Sequence, residues 1–305
     1  MSANFYEIDE ILNEAVMTGV PSIILEGIDD IEIYTRIAES ANFKVEFYAV
    51  ESIDGYGQGC DNVIAAVTDL NSIVSKKYKL ENNVLGIIDK DVRDFRQELP
   101  SVEPMLVLNY YSIESHFVSK FIVESILDQC VKATRDILDD TLCKVIMDEI
   151  ETKLLDIYYF SLESLKNSLE PEYQADFSYS MKPGRLNDFK LKSTIYNKRD
   201  DLDKFAASKA LTPCLNTLKI ITKGKWLIDA FAIELINSIE GLKDKCRSHQ
   251  IKTCKSCVID AYDKCFYRIK DGFNKNTIVS LACTNVIGDE FNYIVDRINM
   301  IKKSA

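Results

Sequence analysis

Over the first 120 residues the apolar positions change period several times, and each change marks a predicted element. Phe5, Ile8, Ile11, Leu12 and Ala15 recur at helical spacing across 5–18. The short apolar run SIILE (22–26), after Pro21, predicts a buried strand. GIDDIEIYTRIAES (27–40) sets Ile31, Tyr34, Ile37 and Ala38 on one helical face, with acids at its start, where the helix dipole favours them. KVEFYAVES (44–52) alternates through Val45, Phe47 and Ala49 and predicts a second strand. A glycine loop (55–59) leads into a helix over 61–78 with Val63, Ile64, Val67, Leu70 and Val74 inward. Two further strands follow, at 82–91 and 104–112, and then a helix begins within 113–130.

The order β-α-β-α-β-β-α predicts an α/β fold, with a mostly parallel sheet whose two faces are covered by helices. Past residue 120 the strand signals fade. Helices are expected over 120–170, a mixed and basic stretch over 182–223, and further helices at 225–245, 257–270 and 289–302. The expected organisation is an α/β domain over 1–119 followed by a mainly helical domain over 120–305.

Composition narrows the class. A chain of 305 residues with 47% apolar and 28% charged residues, 11 Gly and 6 Pro is that of a soluble globular protein. No apolar run reaches the roughly 18 residues of a membrane span. The first twenty residues carry Glu7, Asp9, Glu10 and Glu14 and no Lys or Arg, unlike a signal peptide, so a cytoplasmic protein is expected. Nine cysteines, an odd number, do not read as a disulfide framework. Cys60, Cys130, Cys143, Cys214 and Cys283 are expected as buried free thiols.

The net charge of −11 is unevenly distributed: residues 1–119 sum to −13 and the remainder to +2. The acids of the front half fall where a parallel sheet binds ligands, beyond the carboxyl ends of its strands. Glu26 directly follows one predicted strand, with Asp30 four residues on; Asp89 directly follows another, with Asp91 two residues on; Glu114 follows the fourth. Bare carboxylates brought together repel and raise one another's pKa. A hard divalent cation such as Mg²⁺ or Mn²⁺ relieves this, and such a site suits phosphodiester cleavage. Glu26 is the expected general base or acid. Taken singly, Asp29 and Asp30 read equally as helix N-caps, and DKDVRD as a solvated turn.

Two segments, EGIDD (26–30) and IIDKD (87–91), resemble the Toprim motifs: Glu-Gly after the first strand and Asp-x-Asp after the third. YYSIESHF (110–117) and KGKWLID (223–229) resemble a Toprim-like family of bacterial phage-defence proteins, in particular the effector nucleases of the two-gene PARIS system. The resemblance implies metal and catalytic roles for Glu26, Asp30, Asp89 and Asp91, with Glu114 matching the Ser-Ile-Glu element. It implies a toxic nuclease held inactive by an OLD- or ABC-like ATPase, released as a homodimer, with tRNA as substrate class. Lys225 and Lys90 are candidates for a cation near the scissile phosphate. An OLD-type DNA nuclease and a non-catalytic module that docks to the ATPase stay open as alternatives. Trp226 also reads as a buried helix anchor.

A second chemistry lies downstream. CRSHQIKTCKSC gives Cys246-x2-His249-x4-Cys254-x2-Cys257, two pairs of N/S ligands that suit a structural tetrahedral Zn²⁺. Cys265 could replace His249. Eight residues of straight helix beyond Cys257 would carry it roughly 12 Å away at about 1.5 Å per residue, so His249 is the expected fourth ligand. Residues 182–209 and 243–275 are basic, with Tyr179, Phe189, Tyr196, Phe266, Tyr267 and Phe273 nearby or interleaved. Base stacking beside phosphate contacts, solvated helix faces with core aromatics, and contact with the ATPase are the readings for them.

Overall fold

The computed structural model describes residues 5–74 and 78–303. The chain divides into two compact units: residues up to Tyr110 together with those from Val286 onward, and Tyr111–Asn285.

The first unit is built on four parallel strands, β1 (Ser22–Leu25), β2 (Glu46–Ala49), β3 (Val84–Ile88) and β4 (Met105–Val107), in the order β2-β1-β3-β4. Strands β1 and β3 are buried along their whole length. Their unbroken apolar runs are what a strand covered on both faces requires. On one face lie α1 (Ile8–Thr18) and α3 (Cys60–Ile73), whose Ile11, Leu12, Val63, Val67 and Leu70 enclose Ile24, Val84 and Ile88. Helix α2 (Ile28–Ser40) packs on β1 and β2, and the C-terminal helix (Asn292–Lys303) packs on α2 and β3. A four-residue helix, α4 (Arg93–Arg96), lies in the crossover from β3 to β4.

Helix α3 packs tightly over Gly86 in β3. A Cβ there would lie 2.4 Å from Met105 Sδ, 2.9 Å from Val67 Cγ2 and 3.1 Å from Val63 Cγ1. Met105 can bend away, but the branched valines on α3 cannot. Gly86→Ala is therefore expected to destabilise the fold by about 1–3 kcal/mol. Equilibrium urea unfolding checks this, and an unchanged midpoint would show that α3 lifts without cost.

The C-terminal helix departs from the expected organisation. It forms where the periodicity places a helix, but as part of the α/β unit and not of the helical one. Its Ile294, Ile298 and Ile301 are buried. The reason is the parallel sheet itself, which needs cover on the face that α2 only partly occupies. The predicted helix over 61–78 ends at Ile73, and its residues 75–77 lie outside the described residues.

The second unit is helical: α5 (Lys120–Cys130), α6 (Asp140–Leu154), α7 (Tyr158–Leu169), α8 (Phe189–Tyr196), α9 (Arg199–Ser208), α10 (Leu215–Ile221), α11 (Gly224–Arg247), α12 (Lys255–Val258) and α13 (Lys275–Cys283). Helix α11 runs through its centre, with Trp226, Leu227, Phe231, Leu235, Ile239, Leu242 and Cys246 buried. It packs on α6, on α13 and on the 3-10 turn Ile113–Phe117. The continuous helix expected over 257–270 does not form. Helix α12 stops at Val258, Asp260 takes a left-handed φ of 58°, and a 3-10 turn follows at Tyr262–Lys264. Among the described residues no helix is long and apolar enough to cross a membrane.

Candidate functional site

The sheet order reverses between β1 and β3. From β1 the chain moves outward to β2, then returns past β1 to β3. The crossovers leave in opposite directions there, and the carboxyl ends of strands at such a switch point are where open α/β sheets bind ligands. Glu26 and Asp89 are the first residues beyond those ends. They meet directly: the backbone N–H of Asp89 donates to Glu26 Oε1 at 2.7 Å. The surroundings are fixed by short-range contacts. Gly59, in a left-handed conformation (φ 98°) that favours glycine, donates its N–H to the Glu26 carbonyl at 2.9 Å. This draws the 54–59 loop over the end of β1. Asp91 also has a positive φ, 48°, in the turn that carries the chain out of β3.

The electrostatics follow from crowding. Burial, and then the charges of Asp91 and Asp30, push the Glu26 carboxyl up to about 7; the Asp89 N–H and the Arg93 guanidinium act the other way. Burial, followed by Asp89, Asp30, Tyr293 and Glu26, pushes the Tyr34 phenol well up. Cys60, at the start of α3, is raised to about 12 by burial, with Glu26 and Asp91 adding to it. Asp30, Asp91, Tyr34 and Cys60 are thus near enough to Glu26 or Asp89 to interact with them electrostatically.

Several neighbours were not legible as site residues in the sequence. Glu51, just past β2, caps α2 from outside: its Oε1 accepts from Ile28 N–H at 2.9 Å and from Gln58 Nε2 at 3.0 Å. Its Oε2 is buried with no hydrogen-bond partner among the described residues. Arg93 acts on Glu26 from close by; its guanidinium donates to Asp61 at 2.9 Å, and its buried Nε has no hydrogen-bond partner among the described residues. Lys90 instead pairs with Asp94 at 2.9 Å. Tyr34 looked like an ordinary core position of an amphipathic helix, and Tyr293 is far away in sequence.

Glu26, Asp30, Asp89 and Asp91 offer only oxygen donors, the ligand type that suits a hard divalent cation. The carboxyl oxygens of Glu26, Asp30, Asp89 and Asp91 do not converge as one coordination shell. Among the described residues only four cysteines form a cluster of three or more potential ligands.

Glu114 and Lys225 lie in the second unit. Glu114 Oε2 accepts from the Ser112 hydroxyl, and the pair sits against the first turn of α11. A Cβ on Gly224 would fall 1.9 Å from Ser112 Oγ and 2.7 Å from Glu114 Oε2. The 110–117 and 223–229 segments are thus packing partners, with a carboxylate at the helix N-terminus where the dipole favours it. Lys225 is exposed. Trp226 is fully buried.

The cysteine cluster comprises Cys246, Cys254, Cys257 and Cys265, all buried, with sulfurs within 4.8 Å of one another. Cys265 therefore stands where His249 was expected. The expectation rested on a straight helix past Cys257, and the turn at Asp260 brings the chain back instead. His249 is exposed, with φ 59°, and its Nδ1 shares a hydrogen bond with Thr253 Oγ1 at 2.8 Å. Of the five single cysteines, Cys60, Cys130 and Cys143 are buried, Cys283 is partly buried, and Cys214 is exposed. Cys214 occupies the N-cap of α10, and a surface helix end gives its side chain no core to enter.

Much of the basic charge is neutralised within the fold. Lys192 pairs with Asp156, Lys198 with Glu163 and Asp176, Lys252 with Asp139, and Lys275 with Asp229. Tyr267 is fully buried, Phe266 and Phe273 are half-buried, and Tyr179 stacks on Trp226. Phe189 is 88% exposed, which leaves it available to stack on a base. Comparison with protein-family models gives no match, and comparison with curated proteins gives none.

Proposed function

We propose that the protein is a Toprim-type nuclease dependent on Mg²⁺ or Mn²⁺, with its active centre at the switch point between β1 and β3. The observation that carries this reading is the contact of Glu26 with the Asp89 backbone at that point, beside Asp30 and Asp91. Glu26, Asp89 and Asp91 would hold the ion, with Asp30 beside them. Mg²⁺ needs only one or two protein carboxylates, completing its shell with water and substrate phosphate. The ion's chemistry would be to polarise a phosphoryl oxygen and acidify a bound water. The Asp89 N–H fixes one oxygen of Glu26, leaving the other to accept or return a proton near neutral pH. Arg93 supplies the adjacent positive charge.

The Toprim motifs and the 110–117 and 223–229 segments support placing this nuclease in bacterial phage defence. There it would be a cytoplasmic, toxic effector restrained by an OLD- or ABC-like ATPase and active as a homodimer, with tRNA as substrate. Glu114 and Lys225 enter the catalytic assignment through the same resemblance. A Zn²⁺ among the cysteines would be structural, with no open position for substrate. One observation favours a non-catalytic docking module instead, namely that the carboxyl oxygens do not converge.

The test incubates the purified chain with total tRNA and, separately, with plasmid DNA, in Mg²⁺, Mn²⁺ or chelator. Metal-dependent breakage of tRNA, slowed by orders of magnitude in Glu26→Gln, is expected. Breakage of DNA alone would replace the ribonuclease reading, and no breakage with any metal would favour the docking module.

A further inference from the structure

We propose that Cys246, Cys254, Cys257 and Cys265 form a tetrahedral Zn(Cys)4 site that holds residues 246–270 in their folded course. The sulfurs come from three places: the last turn of α11, the α12 knuckle and the residue after the 3-10 turn. The Sγ atoms of Cys254 and Cys265 are 3.9 Å apart. A tetrahedron with metal–sulfur bonds of ~2.3 Å has an edge of about 3.8 Å, whereas a disulfide would need about 2.05 Å. The spacing suits four thiolates around one ion.

The surrounding backbone is arranged to receive negative sulfur. Cys254 N–H donates to Cys246 Sγ at 3.3 Å, and Phe266 N–H donates to Cys254 Sγ at 3.4 Å. Such donors orient first-shell ligands and spread thiolate charge. Among the described residues no carboxylate or imidazole enters the cluster; an all-sulfur set selects Zn²⁺ or iron over hard ions. Zinc is the choice because four thiolates within 4.8 Å of one another close a single tetrahedron around one ion, as in a structural zinc site.

The segment has little regular structure of its own. Between Val258 and Lys275 its only helical turn is three residues long among the described residues. Its other contacts run mostly to the end of α5 and the stretch that follows it. Lys132 N–H donates to the Phe266 carbonyl at 3.0 Å, Lys270 N–H to the Cys130 carbonyl at 2.7 Å, and the Tyr267 hydroxyl to the Lys252 carbonyl at 2.8 Å, with the Ile137 carbonyl 3.2 Å away. Val131 and Ile269 form an antiparallel bridge. Metal cross-linking is what fixes a short irregular segment well enough to keep these contacts.

This inference is independent of the nuclease reading, and its test uses metal content, not cleavage. The full-length protein, purified without added metal, is analysed by mass spectrometry. About one zinc per chain is expected, retained in His249→Ala and reduced at least tenfold in Cys265→Ser. Should Cys265→Ser fail to fold, the wild-type chain refolded with Co²⁺ decides. Four thiolates give intense thiolate-to-cobalt charge-transfer bands and the visible spectrum of a tetrahedral site. Zinc removal is expected to raise hydrogen exchange at the amides of Lys132, Phe266 and Lys270. Iron in place of zinc, disulfides among the four cysteines, a metal-free protein, or zinc lost with His249→Ala would each overturn the assignment.

Discussion

Glu26→Gln is expected to slow cleavage by orders of magnitude and, at the same time, to make the protein more stable above neutral pH. The two effects have one cause. Folding buries Glu26 beside Asp91 and Asp30 and lifts its carboxyl from 4.5 to about 7. The folded state therefore binds a proton more tightly than the unfolded chain. Stability from this group is fully present below 4.5 and is lost as pH rises through 7. At about 1.4 kcal/mol per pKa unit, the deprotonated Glu26 costs the fold about 3 kcal/mol at pH 8.

Glutamine can still accept the Asp89 N–H and never ionises, so it escapes this cost. In chelator at pH 8 the variant should melt higher than the wild type, and at pH 4 the two should coincide. Mg²⁺ should raise the wild-type melting temperature and leave the variant's unchanged. Loss of the acid should lower cleavage by about 10²–10⁴-fold. A variant less stable than wild type at pH 8 would show that Glu26 is not crowded by its neighbours, and the metal argument would lose its ground.

Trp226→Ala is expected to be the most destabilising single change in the helical unit. The indole is fully buried, stacked on Tyr179 at 5.6 Å and packed against Phe177 at 4.8 Å between ring centroids. Its Nε1–H donates to the Met181 carbonyl at 3.0 Å. Truncation removes both the packing and the donor, and a loss of about 3–5 kcal/mol follows. Trp226→Phe keeps a ring and leaves the carbonyl unpaired, for about 1–3 kcal/mol. Lys225→Ala next to it is exposed, and a change within about 0.5 kcal/mol is expected. Chemical denaturation of the three variants checks the order. A folded Lys225→Ala protein that no longer cleaves would show that the KGKW segment acts in chemistry as well as in packing.

The packing role of that segment shows how a motif can be visible before its reason is. Gly224 follows from contact: Ser112 and Glu114 occupy the space a Cβ would need. Nothing in residues 223–229 alone reveals that requirement, because the partners lie more than a hundred positions earlier. His249 and Cys265 illustrate the same limit. Spacing correctly singled out the cysteine-rich stretch. It could not show that the chain turns at Asp260, since a left-handed residue in a polar segment has no periodicity to announce it.

What the sequence determined by itself was the alternation of elements in the first 110 residues and the placing of Glu26 and Asp89 at strand ends. Both are local consequences of burial: a strand covered on two faces must be apolar throughout, so its first charged residue marks where it emerges. Tertiary structure alone decided which strands are neighbours, that the last helix closes the α/β unit, and that Glu51, Tyr34 and Arg93 surround the acids. It also decided that Cys265 joins the thiol cluster. Those facts depend on contacts between residues remote in the chain, and pairing at a distance leaves no period in the sequence to read.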